Sequence, residues 1–259
     1  METDDLVSVI MPVYNSESFL SQSLDSVILQ TYKKLELLPI DDFSRDSSRD
    51  ILKKYSEKDP RIKPIFKTEN SGSADSRNFG IRQAEGRYIA FLDSDDLWDT
   101  EFLEKQLNFM KKHNSAFSFS SYRIIGEDNR EILKPFIVKK LKVSYYDNLF
   151  YNSVGQLTAV YDSGALGKMY FDVSLKSVRD DYALWLDILK KTDFGFGNPE
   201  ILASYRIRKG AVTANKKKLI LPHYRMLRNR EKLSVIKAAF FTLVWGILGI
   251  RKYFLNRID

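Results

Sequence analysis

The chain has 259 residues, of which 44% are hydrophobic, 13% aromatic and 29% charged; it has no cysteine and only two histidines. This supports one large domain with a sizeable core and excludes a disordered or collagen-like chain, a disulfide scaffold, a thiolate metal site, a cysteine nucleophile and a multi-histidine zinc site. The net charge of +7 is unevenly placed, since residues 206–259 hold 14 Lys/Arg against 2 Asp/Glu while the rest hold 27 against 32.

Residues 6–13 (LVSVIMPV) form a near-continuous Val/Ile-rich run, as expected for a strand buried on both faces. Tyr14-Asn15-Ser16 gives a turn with a candidate N-cap, and Phe19, Leu20, Leu24, Val27 and Ile28 follow at helical spacing. Residues 35–40 read as a second strand ending in Asp41-Asp42, 47–55 as a helix, 62–66 as a third strand and 73–84 as a helix closed by Gly86. Residues 87–92 read as a fourth strand running into Asp93-Ser94-Asp95-Asp96, and 100–112 as a helix. Strand and helix alternating at this spacing imply parallel pairing with right-handed crossovers. Ligands of such sheets bind beyond the carboxyl ends of the strands, here residues 12–15, 41–46, 67–72 and 93–96. Beyond 116 the pattern is strand-like and irregular to 141, with a further strand at 157–161, an amphipathic helix at 180–191 and a strand at 201–207. One domain over 1–213 with a C-terminal helical appendage over 214–259 is the economical organisation.

The appendage carries the longest apolar run, 238–250 (AAFFTLVWGILGI), between Lys237 and Arg251-Lys252. Its 13 residues span about 20 Å as a helix, against the roughly 30 Å of a bilayer core. An interfacial helix on an anionic membrane surface fits this pattern, and a helix packed on the body is the alternative. Nucleic acid is disfavoured because aromatic and cationic residues are kept apart. Met1 is followed by acidic residues, unlike a secretory leader.

Several clusters at strand ends could carry chemistry. Asp93, Asp95, Asp96 and Asp99 suit a hard divalent cation between carboxylates and substrate phosphates, or a helix cap with solvated neighbours. Asp41-Asp42 suits turn chemistry or a carboxylate receiving a base or ribose. Arg77, on a helix after Asn70-Ser71-Gly72, could pair with a phosphate. Asp180-Asp181 opens a helix, where acids also complement the dipole. Neither a Walker loop nor a G-x-G-x-x-G fingerprint is present.

In order, V-S-V-I-M-P-V-Y-N (7–15), I-D-D-F-S-R-D-S-S (40–48), N-S-G-S-A-D-S-R-N-F-G (70–80), G-R-Y-I-A-F-L-D-S-D-D (86–96), R-D-D-Y-A-L-W-L (179–186) and Y-R-I-R-K-G-A-V-T (205–213) resemble the family 2 inverting glycosyltransferases. The resemblance implies a GT-A fold, a Rossmann-like, mostly parallel α/β sheet flanked by helices. It implies transfer of a hexose-type sugar from a nucleotide-diphospho-sugar, UDP by preference, to a hydroxyl of a lipid-linked saccharide in surface polysaccharide or O-antigen synthesis. The same resemblance places Pro12, Val13, Tyr14, Asp42, Arg77, Asp93, Ser94 and Arg208 around the nucleotide sugar. Asp95 would be the ligand of Mn²⁺ or Mg²⁺, and Asp181 the general base. The enzyme would be cytoplasmic, peripheral on the inner face of the cell membrane. A non-catalytic nucleotide-sugar-binding scaffold is the alternative. Three positions depart from the family pattern: Phe43 for a common Gly, Ser76 for a common Ala, and Arg208 for a common His.

Overall fold

The structure, a computed structural model, describes residues 5–176, 178–208 and 219–254. β1 (Val7–Val13) is buried at every position because parallel strands flank it: β2 (Leu35–Asp41) on one side and β4 (Tyr88–Phe91) on the other. The crossovers are α1 (Leu20–Ile28), α2 (Ser48–Lys58) and α3 (Ser73–Gln83), with β3 (Ile65–Phe66) at the sheet edge. α1 buries Leu20, Leu24 and Val27, the stripe its periodicity predicts. Each such side chain taken fully from water contributes about 1.5–3 kcal/mol.

The expected strand at 62–66 is cut short. Only an isolated bridge joins Leu37 to Ile62 before β3 begins at Ile65. Leu37 donates its N–H to Arg61 on this side of β2. The two-residue period then turns Pro39, which has no N–H, to the same side.

Beyond β4 the sheet becomes mixed. Its order is β3-β2-β1-β4-β9-β6-β10-β5, from β5 (Leu97–Trp98), β6 (Phe117–Ile125), β9 (Val160–Asp162) and β10 (Gly195–Arg206). β7 (Glu131–Phe136) pairs with β6, and β8 (Lys142–Val143) with β10. β9 is antiparallel to both β4 and β6, whereas β6 and β10 are parallel. Between these strands lie α4 (Phe102–His113), α5 (Tyr145–Phe150), α6 (Ser163–Leu166) and α7 (Asp180–Lys191). Trp185 of α7 is fully buried, stacked 5.5 Å from Phe117 and edge-on to Phe91 at 6.0 Å, which pins α7 across both halves of the sheet.

The C-terminal residues form α8 (Ile220–Arg225), a π-turn at Met226–Arg230 and α9 (Val235–Phe254). Met226, Leu227, Ala238 and Phe241 close a second apolar cluster with Leu149 of α5 and Leu186 of α7. No helix among the described residues is long and apolar enough to cross a membrane. The boundary expected at 213–214 and the Lys216–Lys218 run lie outside the described residues.

Candidate active site

The carboxyl ends of β1 and β2 build the first part of the site. Val13 C=O accepts from the Asp42 N–H at 2.8 Å, which fixes Asp42 beside buried Pro12. Tyr14, the next residue of the β1 end, is 49% exposed. The Asp42 carboxylate is buried and accepts from Lys67 Nζ (2.7 Å), Ser71 N (3.0 Å) and Gly72 N (2.7 Å). Burial alone would raise its pKa; these three donors outweigh it and hold the carboxyl below the usual range. Gly72 reaches this position with φ +90°, which glycine adopts without steric cost. Lys67 also donates to Asp75 (2.9 Å) and Ser76 (3.4 Å), so serine at 76 supplies an oxygen that alanine would lack. Asp41 has a different role: fully buried, it receives Arg49 Nε at 2.8 Å and anchors α2.

The cap expected within Tyr14-Asn15-Ser16 does not form, and Ser16 shows why. Its hydroxyl pairs with Ser94 Oγ at 2.7 Å instead, tying the end of β1 to the acidic turn after β4, and α1 starts without a side-chain cap. Phe43 adopts φ +66°, which explains why glycine is common there.

The turn after β4 builds the second part. Arg77, buried on α3, donates from Nη2 to Asp93 Oδ1 at 2.7 Å and stands over the Phe171 ring at 5.3 Å. The Gln156 side-chain oxygen accepts from its Nη2 and Nε at 2.7 and 2.8 Å. Gly155 beside it leaves room for the Tyr122 ring, from which a Cβ would lie only 2.5 Å. Asp96 is buried and accepts from Arg206 N at 2.8 Å; burial, then Asp95 and Asp93, raise its carboxyl well above the usual range. Arg206 is structural: its guanidinium donates to the carbonyls of Asp95 and Gly126 and to Asn129. Arg208 Nε meets Asp95 Oδ2 at 2.6 Å. Burial and Asp93 raise the Asp95 carboxyl, while Arg208 opposes them.

The first turn of α7 completes the arrangement. Asp180 is buried, with Oδ2 3.7 Å from Arg77 Nη1. Burial, then Asp181, push its carboxyl up to about 6. Asp181 is half-buried and close enough to act electrostatically on Arg77 and Tyr122. Arg77 therefore joins the acidic turn to the start of α7. An open groove of about 500 Å³ by Glu85, Arg87 and Lys168 lies at the other end of β4.

No group of three or more His, Asp or Glu among the described residues could hold a metal on its own. The oxygen donors of Asp93 and Asp95 still suit Mg²⁺ or Mn²⁺, which commonly take one or two carboxylates and complete their shell with phosphate oxygens and water. Both carboxylates are engaged by guanidinium groups, so a cation at Asp95 would displace Arg208.

Sequence reasoning put Lys67 at a strand end without giving it a role, and missed Gln156. Lys67 stands at a strand end, where a basic residue facing Asp42 was a readable signal; Gln156 sits in the irregular middle, where no pattern marks it.

The model of the family described as "Glycosyl transferase family 2" matches residues 8–169. The chain belongs to glycosyl transferase family 2. This glycosyltransferase is 36% identical over 247 residues to TuaG of Bacillus subtilis (strain 168), named for teichuronic acid biosynthesis, covering 95% of this chain and 97% of TuaG. It is also 36% identical over 251 residues to WfgD of Escherichia coli, a UDP-Glc:alpha-D-GlcNAc-diphosphoundecaprenol beta-1,3-glucosyltransferase, covering 96% of each chain. Among solved structures, S. aureus TarS 1–349 in complex with UDP-GlcNAc superposes with TM-score 0.72 at 22% identity, over 96% of this chain and 73% of that one. The mannosyltransferase PcManGT of Pyrobaculum calidifontis, in complex with GDP-Man and Mn²⁺, superposes at 0.64 and 17% identity, over 92% and 70%. The fold is GT-A, as the sequence resemblance implies.

Proposed function

We propose that the enzyme moves a hexose-type sugar from a UDP-sugar to a hydroxyl of a lipid-diphosphate-linked saccharide, with inversion, in surface polysaccharide synthesis. The single observation that carries this reading is the Arg77 bridge, which brings Asp93 of the acidic turn and Asp180 of α7 to one guanidinium beside Asp181. The relatives support the substrate class, since WfgD is named for a UDP-Glc donor and a diphosphoundecaprenol-linked acceptor.

In this reading Asp42, with Pro12, Val13 and Tyr14, receives the base and ribose. Its low pKa keeps the carboxylate ionised as an acceptor for base N–H and ribose hydroxyl groups. Asp93 and Ser94 border the ribose. Arg77 and Arg208 set positive charge beside the diphosphate, where negative charge grows as the sugar departs. Asp181 accepts the proton of the acceptor hydroxyl, whose oxygen attacks the anomeric carbon as the bond to the diphosphate breaks on the opposite face. One displacement turns an α-linked donor into a β-linked product. A divalent cation held by Asp95 would add neutralising charge at the diphosphate.

The α9 stripe Ile236, Phe240, Leu243 and Ile247 is exposed, opposite the buried Ala238, Phe241 and Thr242. We place it against the membrane that carries the acceptor, on the cytoplasmic side.

The test is transfer from UDP-glucose and UDP-GlcNAc to a GlcNAc-diphospholipid, with the product's anomeric proton coupling read by NMR, with and without EDTA. A β-linked product that EDTA suppresses is expected. An α-linked product excludes the inverting mechanism, and transfer indifferent to EDTA removes the cation.

A further inference from the structure

Arg179, the residue before the Asp180-Asp181 turn, feels both carboxylates electrostatically but holds its hydrogen bond and ring contacts elsewhere. It adopts φ +67°, and its side chain reaches the C-terminal helices. Nε donates to His223 Nδ1 of α8 at 3.2 Å, and the guanidinium lies between the rings of Tyr182 (4.7 Å) and Trp245 of α9 (4.8 Å). His223 is fully buried and stacks on Trp245 at 4.6 Å. Burial, then Arg179, push the imidazole down to about 2, so it is neutral and Nδ1 is free to accept. No carboxylate among the described residues lies within ion-pair distance of Arg179. Aromatic faces and one imidazole hold this half-buried cation.

A non-glycine residue keeps positive φ only where its surroundings over-determine it. Here the surroundings come from the C-terminal helices. Arg230 of the π-turn adds a second tie, reaching Asp172 Oδ2 at 2.9 Å and Asp187 Oδ1 of α7 at 3.2 Å.

We propose that His223 and Trp245 are positioning residues: through Arg179 they fix the first turn of α7, and with it the direction in which Asp181 addresses the acceptor. The appendage then acts on the reaction through the placement of α7, without touching substrate itself. This rests on Asp181 being the base.

The test compares the full chain with Trp245→Ala, Trp245→Phe, Arg179→Gly and the Trp245→Ala/Arg179→Gly double variant. Glycine accepts φ +67° without strain, so Arg179→Gly removes the anchor while permitting the turn. With UDP-glucose and a GlcNAc-diphospholipid, Trp245→Ala and Arg179→Gly should each lower kcat by about 10²-fold, the cost of a small misplacement at a reacting centre, while the Kd for UDP stays within about twofold. The double variant should lose no more than either single one, and Trp245→Phe should keep most activity. Hydrogen exchange of the amides of residues 179–186 reads the same coupling without substrate, and should be faster in Trp245→Ala but not in Trp245→Phe. Wild-type exchange in Trp245→Ala overturns the proposal, as does equal loss in the Ala and Phe variants or UDP binding that falls in step with kcat. A wild-type chain that binds UDP yet transfers nothing refutes the proposed reaction instead, and the exchange measurement still decides the coupling.

Discussion

Lys67 is the residue on which the proposed nucleotide end of the site depends. Its side chain is 10% exposed, and its ammonium serves Asp42, Asp75, Ser71 and Ser76 together. Lys67→Met leaves a buried carboxylate without its partner, which costs about 3 kcal/mol or more, roughly 6–12 °C in Tm. UDP affinity should fall about tenfold with it; a variant melting and binding UDP as the parent does would show that Asp42 needs no counter-charge. Asp180 makes a prediction with a definite sign. Its folded value of about 6 exceeds the ordinary 3.8, so the native state holds this proton more tightly than the unfolded chain. The stability this provides is full below about pH 4 and is lost as pH rises through 6. Asp180→Asn escapes that loss, so its stability relative to the parent should rise between pH 4.5 and 7.5, by about 2 kcal/mol. Thermal melts of both proteins across that window check it, and a difference independent of pH contradicts it. Asp42, Asp93, Asp95 and Asp181 were readable in the sequence because chemistry at strand ends and helix starts leaves a local pattern. The partners that set their behaviour were not. Arg77 was legible as a cation near a turn, but its contact with Asp180 depends on how α7 crosses the sheet.

At the scale of elements, the helix over 180–191 was legible to its ends because its apolar period, acidic start and basic end agree. The third strand was over-read, since hydrophobicity at 62–66 says nothing of the missing N–H groups of Pro39 and Pro64. The irregular stretch after 116 resolves into β6 to β9 only through pairings with β4, with β10 and with one another that no local window contains. α9 packs one face on the body and leaves the other as an exposed apolar stripe, whose contact with a membrane is the proposal to test. Ile236→Asp/Leu243→Asp should abolish flotation with vesicles containing anionic lipid and leave UDP binding intact, because neither residue lies in the buried cluster. Flotation equal to that of the parent would show that the stripe does not meet the bilayer.

For the whole molecule, the site lies where the parallel half of the sheet meets the mixed half. The parallel half supplies Asp42, Arg77 and the acidic turn; the mixed half supplies Gln156, Arg206 and Arg208. α7, pinned by Trp185 across both, brings Asp180 and Asp181 to the join. Such a site suits a substrate with two ends, nucleotide on one half and acceptor approaching by the other. The most direct test is turnover of Asp181→Asn with UDP-glucose and a GlcNAc-diphospholipid beside calorimetric UDP binding. The account predicts a loss of about 10³-fold or more in kcat with Kd for UDP within about twofold of the parent. Turnover near that of the parent, with UDP binding unchanged, would contradict it.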